Sequence, residues 1–236
     1  SMVLQYGLSK PLAIIATFIV MFLIGCLIAA GIFNPLRNMR SNIFAIMGTM
    51  ILGRIIAEFI RLFWGPVPFT VPDWLTGTFK FRNFTVTKAN VIICLVSALV
   101  VIVLQCFLSF TKTGKAMRCV AQNKKASTLM GINVSQNICI TTGISAIICA
   151  TIGLLTIPLF TISTTMATSI GLKGFSAGVI GGFGYIPGVI AGGIFIGIVE
   201  NLAVTVLPAV YKDVVSFVLL IIFLLVKPSG FLGKRA

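Results

Sequence analysis

An all-α, polytopic membrane helical bundle is the fold class this sequence predicts, and three observations predict it. Of 236 residues, 58% are hydrophobic and only 9% are charged, against roughly 25% charged in a soluble domain. Apolar runs of about 20 residues, enough to cross a ~30 Å hydrocarbon layer, recur along the chain. Glycine-rich and cationic segments separate them instead of the mixed charge of a soluble surface. The same composition removes whole classes of chemistry. With no histidine and four acids, His-based catalysis and zinc hydrolysis are excluded, and no bound cofactor or metal is expected. The net charge of +14 lies in loops between apolar spans, so it reads as membrane topology rather than nucleic-acid binding. Cys26, Cys94, Cys106, Cys119, Cys139 and Cys149 show no CxxC pairing and read as small hydrophobes.

Taken in order, a first span covers about 11–33 and is followed by a short basic loop, NPLRNMR, with Arg37 and Arg40. The second span, about 42–64, carries Arg54, Glu58 and Arg61 at i, i+4 and i+7. They share one helix face, which predicts a structural ion pair of both arginines with Glu58; a role in substrate passage is the other reading. Pro66, Pro68, Pro72, Asp73 and Trp74 make 65–88 an irregular interfacial loop. A third span, about 89–110, leads into the stretch Gly114–Val134. There Lys112, Lys115, Arg118, Lys124 and Lys125 occur with no acid among them. A fourth span covers about 135–158, the glycine-rich region 170–206 holds one broken span or two short ones, and a last span, about 213–227, ends in a basic tail with Lys227, Lys234 and Arg235; the orientation below requires 160–206 to cross twice.

Orientation follows from the cations. Placing the 34–41 loop, the 111–134 segment and the tail on one side collects ten of the eighteen lysines and arginines there. That side is the cytoplasmic one, and the C-terminus lies on it. By the same alternation the first residue lies outside.

Beyond residue 170 the glycines keep a step of four: Gly174, Gly178 and Gly182, then Gly184, Gly188 and Gly192, with Gly193 and Gly197 repeating it. Such spacing lets helix backbones approach closely, and helix packing alone accounts for most of it. A sharper reading takes GGFGYIPGVIAGG, with Gly181, Gly182, Gly184 and Pro187, as a helix broken within the membrane. Such breaks occur where protein or water satisfies the freed backbone, often along a translocation path. That path would include Lys173, Phe175, Gly188, Gly192 and Glu200. Lys173 needs a partner or water, while Glu200 could snorkel, bond to a neighbouring helix or line the path. There is no GxxxxGK[ST], so an ATP-driven process needs its motor on another chain.

KGFSAGVIGGFGYIPGVIAGGIFIGIVENL, YKDVVSFVLLIIFLLVKPSGFLGK and GKAMRCVAQNKKASTLMGIN together resemble permease subunits of the branched-chain amino acid ABC importer family, over roughly residues 30–236. The resemblance implies a bacterial inner-membrane, multi-pass permease domain that forms the path with a second permease subunit. It further implies two cytoplasmic ATP-binding subunits and an extracytoplasmic solute-binding protein. The coupling helix should lie near Gly114–Gly131, with Ala126, Leu129 and Gly131 as docking contacts among Arg118, Lys124 and Lys125. Relatives often carry an acid where this chain has Gln122-Asn123 and two lysines, which implies a more acidic partner groove or a different register. They also carry further N-terminal spans, so a piece of a longer protein or a shortened subunit is expected. A solvated basic loop serving only topology is the alternative for the segment. A channel-like or scaffold subunit without ATP coupling is the alternative for the chain. A branched-chain or related amino acid is the expected substrate; an amide, urea, a sugar or a nucleoside would suit the same architecture.

Overall fold

The computed structural model describes residues 10–33, 42–65, 78–81, 84–157, 166–182, 184–206, 208, 211–227 and 230. Arg37 and Arg40, the Pro66–Trp74 segment, and Lys234 and Arg235 lie outside them. The chain divides into two compact units, Ser1–Ile162 and Ser163–Ala236.

The first unit opens with α1 (Lys10–Ile28), which loosens into a π-helical turn over Ala29–Phe33, followed by α2 (Asn42–Trp64). The expected interfacial loop is not wholly irregular. Strands β1 (Thr78–Phe81) and β2 (Phe84–Thr87) pair antiparallel, Phe81 opposite Phe84. Helix α3 (Lys88–Phe110) then leads to the short α4 (Lys112–Gln122) and α5 (Lys124–Leu129), and α6 (Val134–Thr156) closes the unit.

Helices α1 and α6 pack antiparallel through small residues. A Cβ on Gly25 would lie 2.8 Å from the Thr142 carbonyl oxygen and 2.9 Å from the Ala146 Cβ, while the Phe22 ring covers Gly143. One turn on, the Cys26 thiol donates to the Cys139 carbonyl at 3.6 Å. Backbones this close exclude side chains, the packing mode of helices in lipid. The pairing brings the end of α1 beside the start of α6, so Phe33 and Val134 lie at the same end of the unit.

The second unit is a helical hairpin with a third helix against it: α7 (Met166–Gly181), α8 (Ile186–Val206) and α9 (Lys212–Val226). Gly181 seats on Gly188, Ala177 on Gly192, and Lys173 reaches Glu200. The rising and falling numbers show that α7 and α8 run antiparallel. Their connection is Gly182–Tyr185, with Gly182 at φ 101° and Gly184 at φ 87°, a backbone region that non-glycine residues rarely adopt. Of the two readings of the glycine-rich region, one broken span or two, the structure shows two antiparallel helices joined by a glycine turn. The core is Ala177, Ile180 and Ile196 with Phe195, Leu219 and Phe223 packed on it. Phe195 and Phe223 meet edge to face, ring centroids 6.0 Å apart, an arrangement aromatic pairs favour.

Four described helical stretches are long and apolar enough to cross a membrane: Leu12–Phe33, Lys88–Phe110, Val134–Thr156 and Ile186–Thr205. Helix α2 matches α3 in length, at 23 residues, but carries Arg54, Glu58 and Arg61. Large apolar side chains such as Leu27, Leu62, Phe63 and Leu225 are exposed on the single chain. Apolar surface on that scale calls for lipid or protein cover.

Candidate functional site

The cationic elbow between α3 and α6 is built by three capping residues. Thr111 turns the chain: its Oγ1 accepts from the Gly114 amide at 3.0 Å and donates back to the Phe107 carbonyl at 2.6 Å. Gly114 is buried at this bend, where a Cβ would sit 2.5 Å from the Phe107 carbonyl oxygen and 2.6 Å from the Leu108 Cα. No other residue fits. Asn123 ends α4 and starts α5, its Oδ1 accepting from the Lys125 and Ala126 amides at 3.1 Å each. Asn at such a position satisfies amides that a helix start otherwise leaves unpaired. The expected single coupling helix is therefore two helices with an N-cap between them.

Gly131 closes α5 at φ 78°. Its amide bonds to the Thr128 carbonyl and the Ile132 amide to that of Ser127, each at 3.0 Å. This is a Schellman closure, which requires a left-handed residue where Gly131 stands. Asn133 then caps α6 by accepting from the Gln136 amide at 3.2 Å. Only three residues, Met130, Gly131 and Ile132, separate the end of α5 from that cap. On this capped elbow Leu129 is 89% exposed and Met130 80% exposed, with Lys124, Lys125, Ala126 and Gly131 exposed around them. Met130 is the exposed apolar residue of the tip that sequence reasoning did not single out; its adjacency to the glycine closure was the available signal.

The second unit holds a polar cluster. Lys173 on α7 lies 3.0 and 3.1 Å from the two carboxylate oxygens of Glu200 on α8, and 2.9 Å from Asp213 Oδ1 on α9. The Ser216 hydroxyl donates to Glu200 Oε1, and the Lys212 ammonium stands 3.7 Å from Oε2. Two ammonium and two carboxylate groups leave the cluster formally neutral. Glu200 is only 5% exposed, and a charge so buried persists only when paired and hydrogen-bonded. Of the readings open for Glu200, bonding to neighbouring helices is the one the structure displays. Lys212, Asp213 and Ser216 were legible only as letters of the YKDVVSF motif. Their connection to Glu200 needs the α8–α9 pairing, which no local pattern announces.

The remaining expected site residues are placed as follows. Gly181, Gly188 and Gly192 form the α7–α8 contact: a Cβ on Gly192 would lie 2.5 Å from the Ala177 carbonyl oxygen, and Gly181 and Gly188 each face the other's carbonyl. Gly182 and Gly184 make the turn, Pro187 sits in the first turn of α8, where its missing amide costs nothing, and Phe175 is exposed on α7. Gly171, Gly174 and Gly197 face open space. On α2, Arg61 stands 3.8 Å from Glu58, both side chains more than half exposed. No ion pair joins Arg54 to Glu58 among the described residues, so the expected three-membered arrangement reduces to one loose pair. Arg118 is also exposed, and its Nη2 donates to Ser109 Oγ at 3.0 Å.

Fold and site define a polytopic helical membrane protein with a capped, apolar-tipped elbow and a charge-neutral polar cluster. Residues 1–224 match the family model described as the permease component of branched-chain amino acid transport systems. The chain is 31% identical over 208 residues to the high-affinity branched-chain amino acid transport system permease protein LivH of Salmonella typhimurium, covering 86% of this chain and 67% of that one. Escherichia coli K12 LivH is 30% identical over the same shares. The permease protein BraD of Pseudomonas aeruginosa is 31% identical over 236 residues, 96% of this chain and 76% of that one. No solved structure matches. The chain belongs to this permease family. It is a membrane transport subunit, the permease component of an ABC importer.

Proposed function

We propose that the importer carries a branched-chain or related apolar amino acid, delivered by an extracytoplasmic solute-binding protein. In this reading a second permease subunit completes the path, and two cytoplasmic ATPases dock on the elbow. The observation that carries it is the tip of α5: two large apolar side chains held almost fully exposed by an N-cap at Asn123 and a glycine closure at Gly131. An isolated six-residue helix is not stable in water. Here capping and packing fix one, and a short helix presenting an apolar face is suited to a groove on a partner. Lys124 and Lys125 beside the tip favour an acidic rim on that groove.

Motor closure then displaces α5, and the short link through Asn133 transmits the motion to α6, while Gly114 couples α4 to the end of α3. The antiparallel seating of α1 and α6 supports placing the 34–41 loop and the elbow on one side, which the cation count makes cytoplasmic, C-terminus included. Within the second unit, a Cβ on Gly230 would lie 2.5 Å from the Gly182 amide nitrogen. Gly230 therefore lies at the end of the unit that holds the α7–α8 turn, and the Lys173–Glu200 cluster stands towards the other, outer end. Substrate passage is assigned to the exposed sides of this hairpin.

Leu129→Asp tests the docking assignment. Binding of the cognate ATPases to the purified chain should weaken by roughly thirty-fold or more, as for a central interface contact. Unchanged binding by this variant rejects the coupling role of α5.

A further inference from the structure

Helix α4 is two-faced, and only one face is accounted for by packing. Gly114 and Val120 are buried, with Thr113, Ala116 and Met117 half-buried beside them. Lys112, Lys115, Arg118, Cys119 and Gln122 are all exposed, and at 100° per residue they fall on the opposite face. Three cations thus line one side of an 11-residue helix. Among the described residues no ion pair joins them to an acid, and no acid occurs in the sequence between Asp73 and Glu200.

The depth of this face is set by α3. Gly114 rests on Phe107 and Leu108, and Arg118 donates to Ser109. All three belong to the last turn of a 23-residue apolar helix of membrane-crossing length. Where such a helix ends, the phospholipid headgroups begin. The Phe110 ring at that end is exposed. The Arg118 guanidinium is therefore held at headgroup level, apart from the Leu129–Met130 tip that serves the soluble partner.

We propose that the Lys112–Lys115–Arg118 face of α4 binds anionic phospholipid headgroups at the membrane surface and so anchors the elbow while α5 engages the motor. Phosphodiester groups supply the missing negative charge, and the apolar face of α4 remains on α3 and α6. An amphipathic helix with cations on its polar face is the form that lies in this interface. The site is distinct from the docking tip, so either assignment can fail alone.

The test uses the full transporter reconstituted in mixed phosphatidylcholine and phosphatidylglycerol bilayers, with extraction and quantitation of the lipid that co-purifies. The parent should retain phosphatidylglycerol above its bilayer fraction, and added inorganic phosphate should not displace it. Lys112→Gln, Lys115→Gln and Arg118→Gln should each lower this enrichment by about five-fold, and the triple variant should abolish it. The charge-preserving Arg118→Lys should keep it, which separates lipid binding from the bond to Ser109. Lys124→Gln/Lys125→Gln should leave it unchanged. Undiminished enrichment in the triple variant overturns the proposal. So does a triple variant that keeps its lipid but loses its ATPases, because the face then belongs to the protein partner.

Discussion

Glu200 gathers three donors, Lys173 from its hairpin partner α7 and Lys212 and Ser216 from α9, and what holds it in place can be measured. Lys173→Met leaves a buried carboxylate without its main counterion, which should destabilise the purified protein by roughly 3–5 kcal/mol. The double variant Lys173→Met/Glu200→Gln removes both charges and should recover much of that loss in thermal unfolding. Asp213 is half exposed, so Asp213→Asn should cost under about 1 kcal/mol. Equal losses in the Lys173 and Asp213 variants would contradict the ranking. At this scale the sequence showed that Lys173 needed a partner but not which one. Glu200 lies 27 positions away, and its arrival depends on the register of the α7–α8 hairpin. The Arg54–Glu58–Arg61 expectation exceeded what forms because shared helical phase brings side chains near each other without making them close an ion pair.

At the scale of the element, the glycines divide into two kinds with opposite predictions. Gly188 meets the Gly181 backbone, so Gly188→Ala forces α7 and α8 apart and should destabilise by about 1–3 kcal/mol. Gly174 faces open space inside a helix, so Gly174→Ala should be neutral or stabilise by up to about 1 kcal/mol. Thermal unfolding of the two variants side by side checks both signs. The four-residue spacing was readable in the sequence, but it marks both sets alike, and only the hairpin tells them apart. The elbow was better written. A glycine closing a short helix is a local signal, and Gly131 fulfils it. The division at Asn123 was equally local, since Asn ahead of Lys-Lys-Ala-Ser-Thr is an N-cap pattern. Its loss, Asn123→Ala, should cost about 1 kcal/mol and loosen the tip, read as faster amide exchange over 124–129. The β1–β2 hairpin escaped notice because four-residue strands carry too little alternation to stand out beside prolines.

For the whole molecule, composition settled the class because burying so apolar a chain in water is impossible, and apolar length located the principal spans. Partner-dependent features were not legible in that way. The exposed faces of α1, α2 and α3 look alike whether lipid or a second permease covers them. Motifs, not hydropathy, carried the family, and those motifs are structural parts: the α7–α8 turn, the start of α9 and the capped elbow. The central claim is that this elbow meets a motor inside the cell. Labelling of Leu129→Cys in a cysteine-free background, with a membrane-impermeant thiol reagent applied to intact cells, tests it most directly. The account predicts no labelling until the membrane is permeabilised, and then rapid reaction at the exposed tip. Rapid labelling of intact cells would contradict it.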